Sequence, residues 1–261
     1  MGNFSDLGIH VKGNNEQQKT RCPNCVKLNK ENWKDLSLSI NLKENIYNCH
    51  KCGWNGKIKT DKAMTISYNK PQKKMMKSLT DEGREFLLKR GITNEVIINN
   101  KIVSTSDGNS ILFPYFREGE LINYKTRGIS SKSFMQSKNA EPLVYNYDRC
   151  KKAKSIVICE GEMDSLSWEV AGMETHTSVN MGAPNVGDKN IDRKLECLNT
   201  SYDIFEATDI IYVATDEDEN GRNLQKELVR RFGADKCLLV DLKPYKDANE
   251  VLIAEGAESL K

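Results

Sequence analysis

Ser155-Ile156-Val157-Ile158-Cys159-Glu160-Gly161-Glu162-Met163-Asp164 is the stretch on which the reading of this chain turns. An apolar, β-branched run ends abruptly in a cluster of acids. Such a run reads as a strand buried on both faces, as in parallel sheets. The pattern recurs downstream, where Ile210-Ile211-Tyr212-Val213-Ala214-Thr215 leads into Asp216-Glu217-Asp218. A helix-like segment follows each cluster. Carboxylates at the carboxyl ends of two such strands converge on one crevice, where open α/β sheets bind their ligands. Converging acids repel one another and a divalent cation removes the repulsion. The two clusters therefore predict magnesium or manganese and, through it, phosphate chemistry. A run of acids also suits a solvated helix start, but two runs, each directly after a buried-type strand, argue against that.

Outward from these strands the chain alternates. Asp164–Val170 has a helical pattern and Thr177–Val179 reads as a short strand. Ile191, Leu195, Leu198, Tyr202 and Phe205 recur at steps of 4, 3, 4 and 3, which predicts one helix. A helix over Gly221–Phe232 ended by Gly233, a strand over Cys237–Leu242 and a helix from about Ala248 complete the pattern. This alternation predicts a mostly parallel, helix-covered sheet in residues 153–261. Upstream, Thr80 can cap a helix over Asp81–Lys89 that Gly91 ends, and Thr93 can cap a second through Val96, Ile97 and Ile98. Residues 102–127 read as strands and hairpins, with turns at Asp107-Gly108 and Glu118-Gly119. Residues 79–152 thus form a subdomain ahead of the parallel sheet.

The 261 residues suffice for one large domain or two smaller ones, and 38% hydrophobic with 29% charged residues describes a soluble protein with a modest core. No apolar run approaches membrane-spanning length, so no membrane partner is expected. Met1-Gly2-Asn3-Phe4-Ser5-Asp6 lacks the regions of a secretion signal, and Asp6 stands where myristoylation needs Ser or Thr. A cytoplasmic location follows as the expectation. The net charge of +2 hides a split. Residues 1–80 carry 15 Lys/Arg against 6 Asp/Glu, residues 81–150 carry 10 against 9, and residues 151–261 carry 14 against 22. A basic first part predicts a polyanionic partner, and an acidic last part suits metal binding.

Four of the eight cysteines form two CxxC knuckles, Cys22-Pro23-Asn24-Cys25 and Cys49-His50-Lys51-Cys52, with 23 residues between them. Cys150, Cys159, Cys197 and Cys237 are scattered, which reads as buried thiols in a reducing compartment and not as a disulfide framework. Each knuckle offers two thiolates from one tight turn, as tetrahedral zinc requires. A module this small buries little core, and structural zinc contributes roughly 10–16 kcal/mol in small peptides. Zinc is therefore the expected organiser of residues 1–58. Four thiolates close the site, so this zinc is structural, and His50 falls outside the coordination sphere. Lys51, Lys57 and Lys59, with Tyr47 and Trp54 as stacking rings, suit a nucleic-acid surface. Each ring equally suits packing the small core. Residues 59–78, polar and basic, are predicted to be a flexible linker.

Glu160-Gly161-Glu162-Met163-Asp164 followed by Asp216-x-Asp218 resembles the TOPRIM domain shared by bacterial-type primases, topoisomerases and some nucleases. The wider arrangement adds a four-cysteine ribbon, a linker, Arg90-Gly91-Ile92, a basic run and Lys246-Asp247-Ala248-Asn249-Glu250. As a whole it resembles the primase half of bacteriophage primase–helicases and, more distantly, the primase-like region of the mitochondrial replicative helicase. The resemblance implies an α/β fold: an N-terminal zinc ribbon linked to a two-part RNA polymerase domain that contains the TOPRIM parallel sheet. It implies that Glu160, Asp216 and Asp218 hold catalytic magnesium, that Glu162 and Asp164 support or share that site, and that Asp247 is a further acid near it. The implied activity is synthesis of short RNA primers from ribonucleoside triphosphates on a single-stranded DNA template during replication. The implied partner is a replicative helicase, fused or separate, in the host cytoplasm if the source is a bacteriophage. No Gly-x-x-x-x-Gly-Lys-Ser/Thr loop occurs, so a stand-alone primase or the primase part of a larger protein is expected.

The basic run is Lys125-Thr126-Arg127 followed by Lys132-Ser133-Phe134. On a strand, Lys125 and Arg127 face the same side. Triphosphate charge exceeds what metal alone neutralises, and arginine binds phosphate in bidentate fashion. By the resemblance, Lys125, Arg127 and Lys132 bind nucleotide, and Lys125 and Lys132 support catalysis; the plain alternative is an exposed basic strand. Two competing functions stand beside primer synthesis. One is a non-catalytic zinc and TOPRIM protein of recombination or replication, although recombination mediators have shorter knuckle spacing and a helix-hairpin-helix. The other is a TOPRIM nuclease or topoisomerase, the latter needing a tyrosine nucleophile and a larger gate. No Ser/His/Asp triad is required, and His176 reads as ordinary. Gly161 and Gly221 suit tight turns beside phosphates.

Overall fold

The computed structural model describes residues 4–11, 16–28, 35–58, 68–72 and 75–261. The chain divides into two compact units, Met1–Ser67 with Val229–Gly233, and Tyr68–Leu228 with Ala234–Lys261. The first unit contains β1 (Gln17–Thr20), α1 (Pro23–Lys27), β2 (Leu38–Asn41), β3 (Ile46–Cys49) and β4 (Asn55–Lys57). The strands form one antiparallel sheet in that order. The β2–β3 turn is made by asparagines: the Asn41 side chain accepts from the Lys43 and Glu44 amides, each at 2.9 Å, and Asn45 takes a left-handed φ of 57°. This turn sets the register Leu38↔Cys49 and returns the second knuckle toward the first. Among the described residues its core is Phe4, Ile9, Leu38, Ile40 and Ile58 together with Cys22, Cys25 and Cys49.

The second unit opens with a five-stranded antiparallel sheet in chain order: β5 (Met76–Lys77), β6 (Val103–Thr105), β7 (Ser110–Arg117), β8 (Glu120–Gly128) and β9 (Phe134–Gln136). Between β5 and β6 lie α2 (Asp81–Lys89) and α3 (Asn94–Asn99). Their caps are as expected, with Thr80 Oγ1 accepting from the Gly83 amide and Thr93 Oγ1 from the Val96 amide. Glu118 and Gly119 both have positive φ, the two-residue hairpin turn that matches strand twist.

After α4 (Tyr147–Cys150) come β10 (Ser155–Cys159), α5 (Glu162–Val170), β11 (His176–Ser178), α6 (Ile191–Lys194), α7 (Glu196–Thr200), α8 (Tyr202–Ala207), β12 (Ile210–Ala214), α9 (Glu219–Phe232), β13 (Cys237–Leu239) and α10 (Ala248–Glu255). The sheet is parallel throughout, in the order β11-β10-β12-β13, as the alternation predicts. No helix among the described residues is long and apolar enough to cross a membrane.

Four expectations change. The helix predicted from Ile191 to Phe205 is three short helices, because Leu195 and Ser201 leave helical geometry. There the Ser201 hydroxyl accepts from the Val144 amide at 3.2 Å, a tertiary bond that competes with the helix. Leu195, Leu198 and Phe205 are still buried, so the apolar spacing serves the core without one continuous helix. Strand β13 stops at Leu239 and not at Leu242, since its neighbour β12 ends at Ala214 and the Val240 amide takes the Val213 carbonyl as its last partner. Strand β11 begins one residue earlier than expected. Of the predicted linker, residues 59–67, 73 and 74 lie outside the described residues. Its later part is structured: the Asn69 amide donates to the Asn139 carbonyl at 2.9 Å, and Met76–Lys77 pairs with β6.

Candidate active site

From β10 the chain moves to β11 on one side and then to β12 on the other, so the carboxyl ends of β10 and β12 form the switch point of the sheet. Their register pairs Cys159 with Ala214; Glu160 follows the first directly and Asp216 follows the second after Thr215. Both line a cavity of about 610 Å³. Glu162, Asp164 and Asp247 share that wall, while Lys125, Arg127 and Lys132 reach it from β8 and the β8–β9 loop. A larger cavity of about 1080 Å³, beside Trp168, Tyr212 and Leu238, has no comparable convergence of charge. Chemistry and not volume identifies the site.

The acids differ in their surroundings. Burial pushes the Glu160 carboxyl up to about 7, and the charge of Asp216 adds to the effect. Its Oε2 is buried without a hydrogen-bond partner. Burial also raises Asp216, against the pull of Lys246. Asp164 is pushed well above the carboxylate range by enclosure, then by Asp247 and Asp216. Asp218 is lowered: burial opposes ionisation, but the Gly221 amide at 2.9 Å and Lys246 outweigh it. Asp247 caps α10, accepting from the Glu250 amide at 2.8 Å. Glycine at 221 is required by close approach, since a Cβ there would lie 1.9 Å from the Asp216 carbonyl oxygen. This close approach is a steric reason for glycine at 221. Gly161, with an ordinary φ of −131°, stands at the N-terminus of α5.

Lys246 completes the centre. Its Nζ lies 3.0 Å from Asp216 Oδ2 and 3.2 Å from Asp218 Oδ2, so both aspartates turn to the same side. Among the described residues only the knuckle cysteines bring three or more possible ligand atoms within 4.8 Å of one another. The acids stand wider, with an ammonium neutralising two of them. An orphaned carboxylate oxygen, a hard oxygen donor set and a stand-in cation together fit a divalent ion. In the sequence Lys246 is marked only by its adjacency to Asp247.

On the basic wall, Lys125 and Arg127 are two apart on β8 and line the same cavity. Lys125 Nζ lies 3.0 Å from Glu162 Oε2, and the Tyr115 hydroxyl donates to Glu162 Oε1. The guanidinium of Arg127 sits 4.9 Å from the Phe86 ring centre and 5.7 Å from that of Phe134. Burial lowers its pKa from the usual guanidinium value, and Arg90 adds to the effect. Lys132 is exposed at the cavity mouth. Tyr115, Phe86 and Lys246 are the residues that sequence reasoning missed here.

In the other unit the four knuckle cysteines form a second candidate metal centre. Cys22 and Cys52 Sγ are 3.7 Å apart, and Cys25 and Cys49 Sγ are 3.6 Å apart. Bonds of 2.3 Å to a tetrahedral zinc place sulfurs about 3.8 Å apart, so the set fits the ion. The Lys51 and Cys52 amides donate to Cys49 Sγ at 3.4 and 3.5 Å. Burial alone would raise Cys49, but these amides and the Ser37 hydroxyl bring its thiol down to about 7. His50 is exposed and outside the cluster. Tyr47 and Trp54 pack on each other, with ring centres 4.5 Å apart, and against the core, leaving each half-buried. Lys51 pairs with Asp35 at 2.7 Å, and Lys57 is exposed at the end of β4.

One constellation resembles a triad without being one. Ser165 Oγ is 2.7 Å from His176 Nδ1, and His176 Nε2 is 2.9 Å from Glu169 Oε2. Ser165 and His176 are both 0% exposed, so no substrate reaches them and the group is structural.

Residues 157–252 match the family model of Toprim-like domains. The Twinkle homolog protein, chloroplastic/mitochondrial, of Arabidopsis thaliana is 31% identical over 266 residues, which cover 92% of this chain and 37% of that protein. The Primase homolog protein of the same plant is 32% identical over 233 residues, covering 81% of this chain and 69% of that protein. The crystal structure of the primase fragment of the bacteriophage T7 primase–helicase protein has a TM-score of 0.57 at 22% identity, covering 86% of this chain and 92% of that one, a likeness of fold. Identity of 32% over 81% of the chain to a primase homologue, the Toprim match and the shared fold agree: the chain belongs to the TOPRIM-type primase family.

Proposed function

We propose that the protein is a DNA primase, a nucleotidyltransferase that joins ribonucleoside triphosphates into short RNA on single-stranded DNA. The observation that carries the reading is one cavity with carboxylates on one wall and Lys125, Arg127 and Lys132 on the other. Glu160, Asp216 and Asp218 hold magnesium or manganese, with Asp164 and Asp247 setting the field around them. When bound, the cation lowers charge at the phosphoryl group and favours a deprotonated 3′-hydroxyl. Lys125, Arg127 and Lys132 bind and orient the triphosphate, so the chain contributes positioning and electrostatics. Cys22, Cys25, Cys49 and Cys52 hold structural zinc. Residues 1–58 read the template through Lys51, Lys57 and the exposed edges of Tyr47 and Trp54. Residues 79–152 and 153–261 are the two parts of the polymerase. A replicative helicase, fused or separate, delivers the single strand.

The test is incubation with Mg²⁺ or Mn²⁺, labelled ribonucleotides and a varied single-stranded DNA library, followed by sizing of products. Short RNA is expected from the parent, falling by at least about 100-fold in Asp216→Ala and Glu160→Ala. Full synthesis by either variant would refute the site assignment. DNA binding without product would favour a binding role, and loss of DNA without nucleotides would favour a nuclease.

A further inference from the structure

Glu162 stands two residues after Glu160, and its position in the sequence gives it the same apparent duty. Its surroundings differ. The Glu162 side chain is 4% exposed at the first turn of α5. One carboxylate oxygen accepts the Tyr115 hydroxyl from β7, and the other lies 3.0 Å from Lys125 Nζ on β8. Tyr115 and Lys125 are themselves buried, at 1% and 8% exposure. Glu162 therefore faces the antiparallel sheet, whereas Asp216 and Asp218 meet Lys246. With both oxygens engaged by enclosed donors, the carboxylate is committed to those partners.

Lys125 has the complementary need. A buried ammonium is costly without a counter-charge, and a lysine side chain is flexible without an anchor. Glu162 supplies both, and Tyr115 fixes Glu162 in turn. The ring centre of Phe134 lies 5.4 Å from Lys125 Nζ on the cavity side. We infer that Glu162 is a positioning residue for nucleotide binding, holding the Lys125 ammonium at the cavity wall, and not a ligand of the catalytic metal. The inference rests on the primase reading above and assigns one acid of the cluster to the basic wall.

Glu162→Gln keeps the shape and an acceptor for Tyr115 but removes the charge that holds Lys125. Calorimetry on the full chain compares Mn²⁺ alone with an α,β-methylene ribonucleoside triphosphate at saturating Mn²⁺. The expected result is Mn²⁺ affinity within about twofold of the parent and nucleotide affinity about tenfold weaker. Primer synthesis should show a raised nucleotide KM with a smaller change in kcat. Loss of Mn²⁺ affinity, with or without loss of nucleotide affinity, would make Glu162 a metal ligand and overturn the inference. Unchanged nucleotide affinity would overturn it as well. If the glutamine variant does not fold, Tyr115→Phe loosens the same carboxylate without changing either charge. It should weaken nucleotide binding about threefold and is judged by the same two titrations. Asp216→Ala and Lys132→Ala serve as controls. Parent-like Mn²⁺ binding in the first or parent-like nucleotide binding in the second would refute the underlying site, an outcome separate from that of Glu162→Gln.

Discussion

Lys246 neutralises Asp216 and Asp218, two of the carboxylates proposed to hold a divalent ion. Its ammonium is held charged by the hydrogen bond to Asp216 and the field of Asp218, which raise its pKa. An incoming cation must displace it or work against its charge. Lys246→Ala is therefore expected to tighten Mn²⁺ binding about five- to tenfold, as measured by calorimetry without nucleotide. Weaker binding in the variant would show that Lys246 supports the ion and does not compete with it. The same residue type has a different task at Lys125, where the partner is buried and the exposure is 8%. Two lysines near one cavity thus differ by what surrounds them and not by what they are.

Helix α5 connects both halves of the second unit. Its first turn presents Glu162 to the antiparallel sheet, and its last turn presents Glu169 to Arg149 on α4 at 2.9 Å and to His176 on β11 at 2.9 Å. This network makes stability depend on pH. Burial lowers the pKa of His176 below its ordinary 6.5, while Glu169 pulls the other way and Arg149 reinforces the lowering. The unfolded chain therefore binds more protons on His176 as pH falls through 6.5, so that its contribution is full above pH 6.5 and declines below it. Glu169 acts in the same sense at lower pH. Burial would raise it, but hydrogen bonds from His176 and Asn100 and the charge of Arg149 bring it to about 2 from 4.5. Its contribution is present above pH 4.5 and lost toward 2. Raised carboxyls such as Glu160 act in the opposite sense over this range, so the check is a comparison: urea unfolding at pH 7.5 and 5.5 should show the parent losing about 1 kcal/mol relative to His176→Gln on going to the acid value. An equal change in the two proteins would show that His176 is charged in the folded protein.

At the scale of the whole molecule, the two units are stabilised by different means. The second has two sheets with long apolar strands. Among its described residues the first has a core cluster of eight buried side chains, three of them cysteines. A core of that size does not hold a domain alone, and zinc on the four thiolates would supply the difference. Chelation of zinc, or Cys22→Ser with Cys49→Ser, is expected to raise amide exchange across β1–β4 while the β10–β12 core stays protected. Protection that persists in β1–β4 would show that this unit folds without the ion. Template-dependent synthesis should fall with the same treatment, since residues 1–58 are proposed to read the template.

Much of the fold was legible because its signals are local. Thr80 and Thr93 cap their helices through amides three residues ahead, and the apolar runs of β10 and β12 need only their own composition to read as buried strands. The CxxC spacing likewise places four sulfurs within reach of one ion. The carboxylates are the opposite case, because in one dimension Glu160 and Glu162 look alike. Tertiary structure separates them: Glu160 keeps an orphaned oxygen beside Asp216, while Glu162 is taken by Tyr115 and Lys125 from another sheet. The break in the predicted helix at Ser201 has the same origin, a bond to Val144 far away in the chain. Composition and periodicity determined which elements form and where the acids gather. The three-dimensional neighbours decided what each acid does, because the energy of a charge depends on the field and the donors around it, and those come from distant parts of the chain.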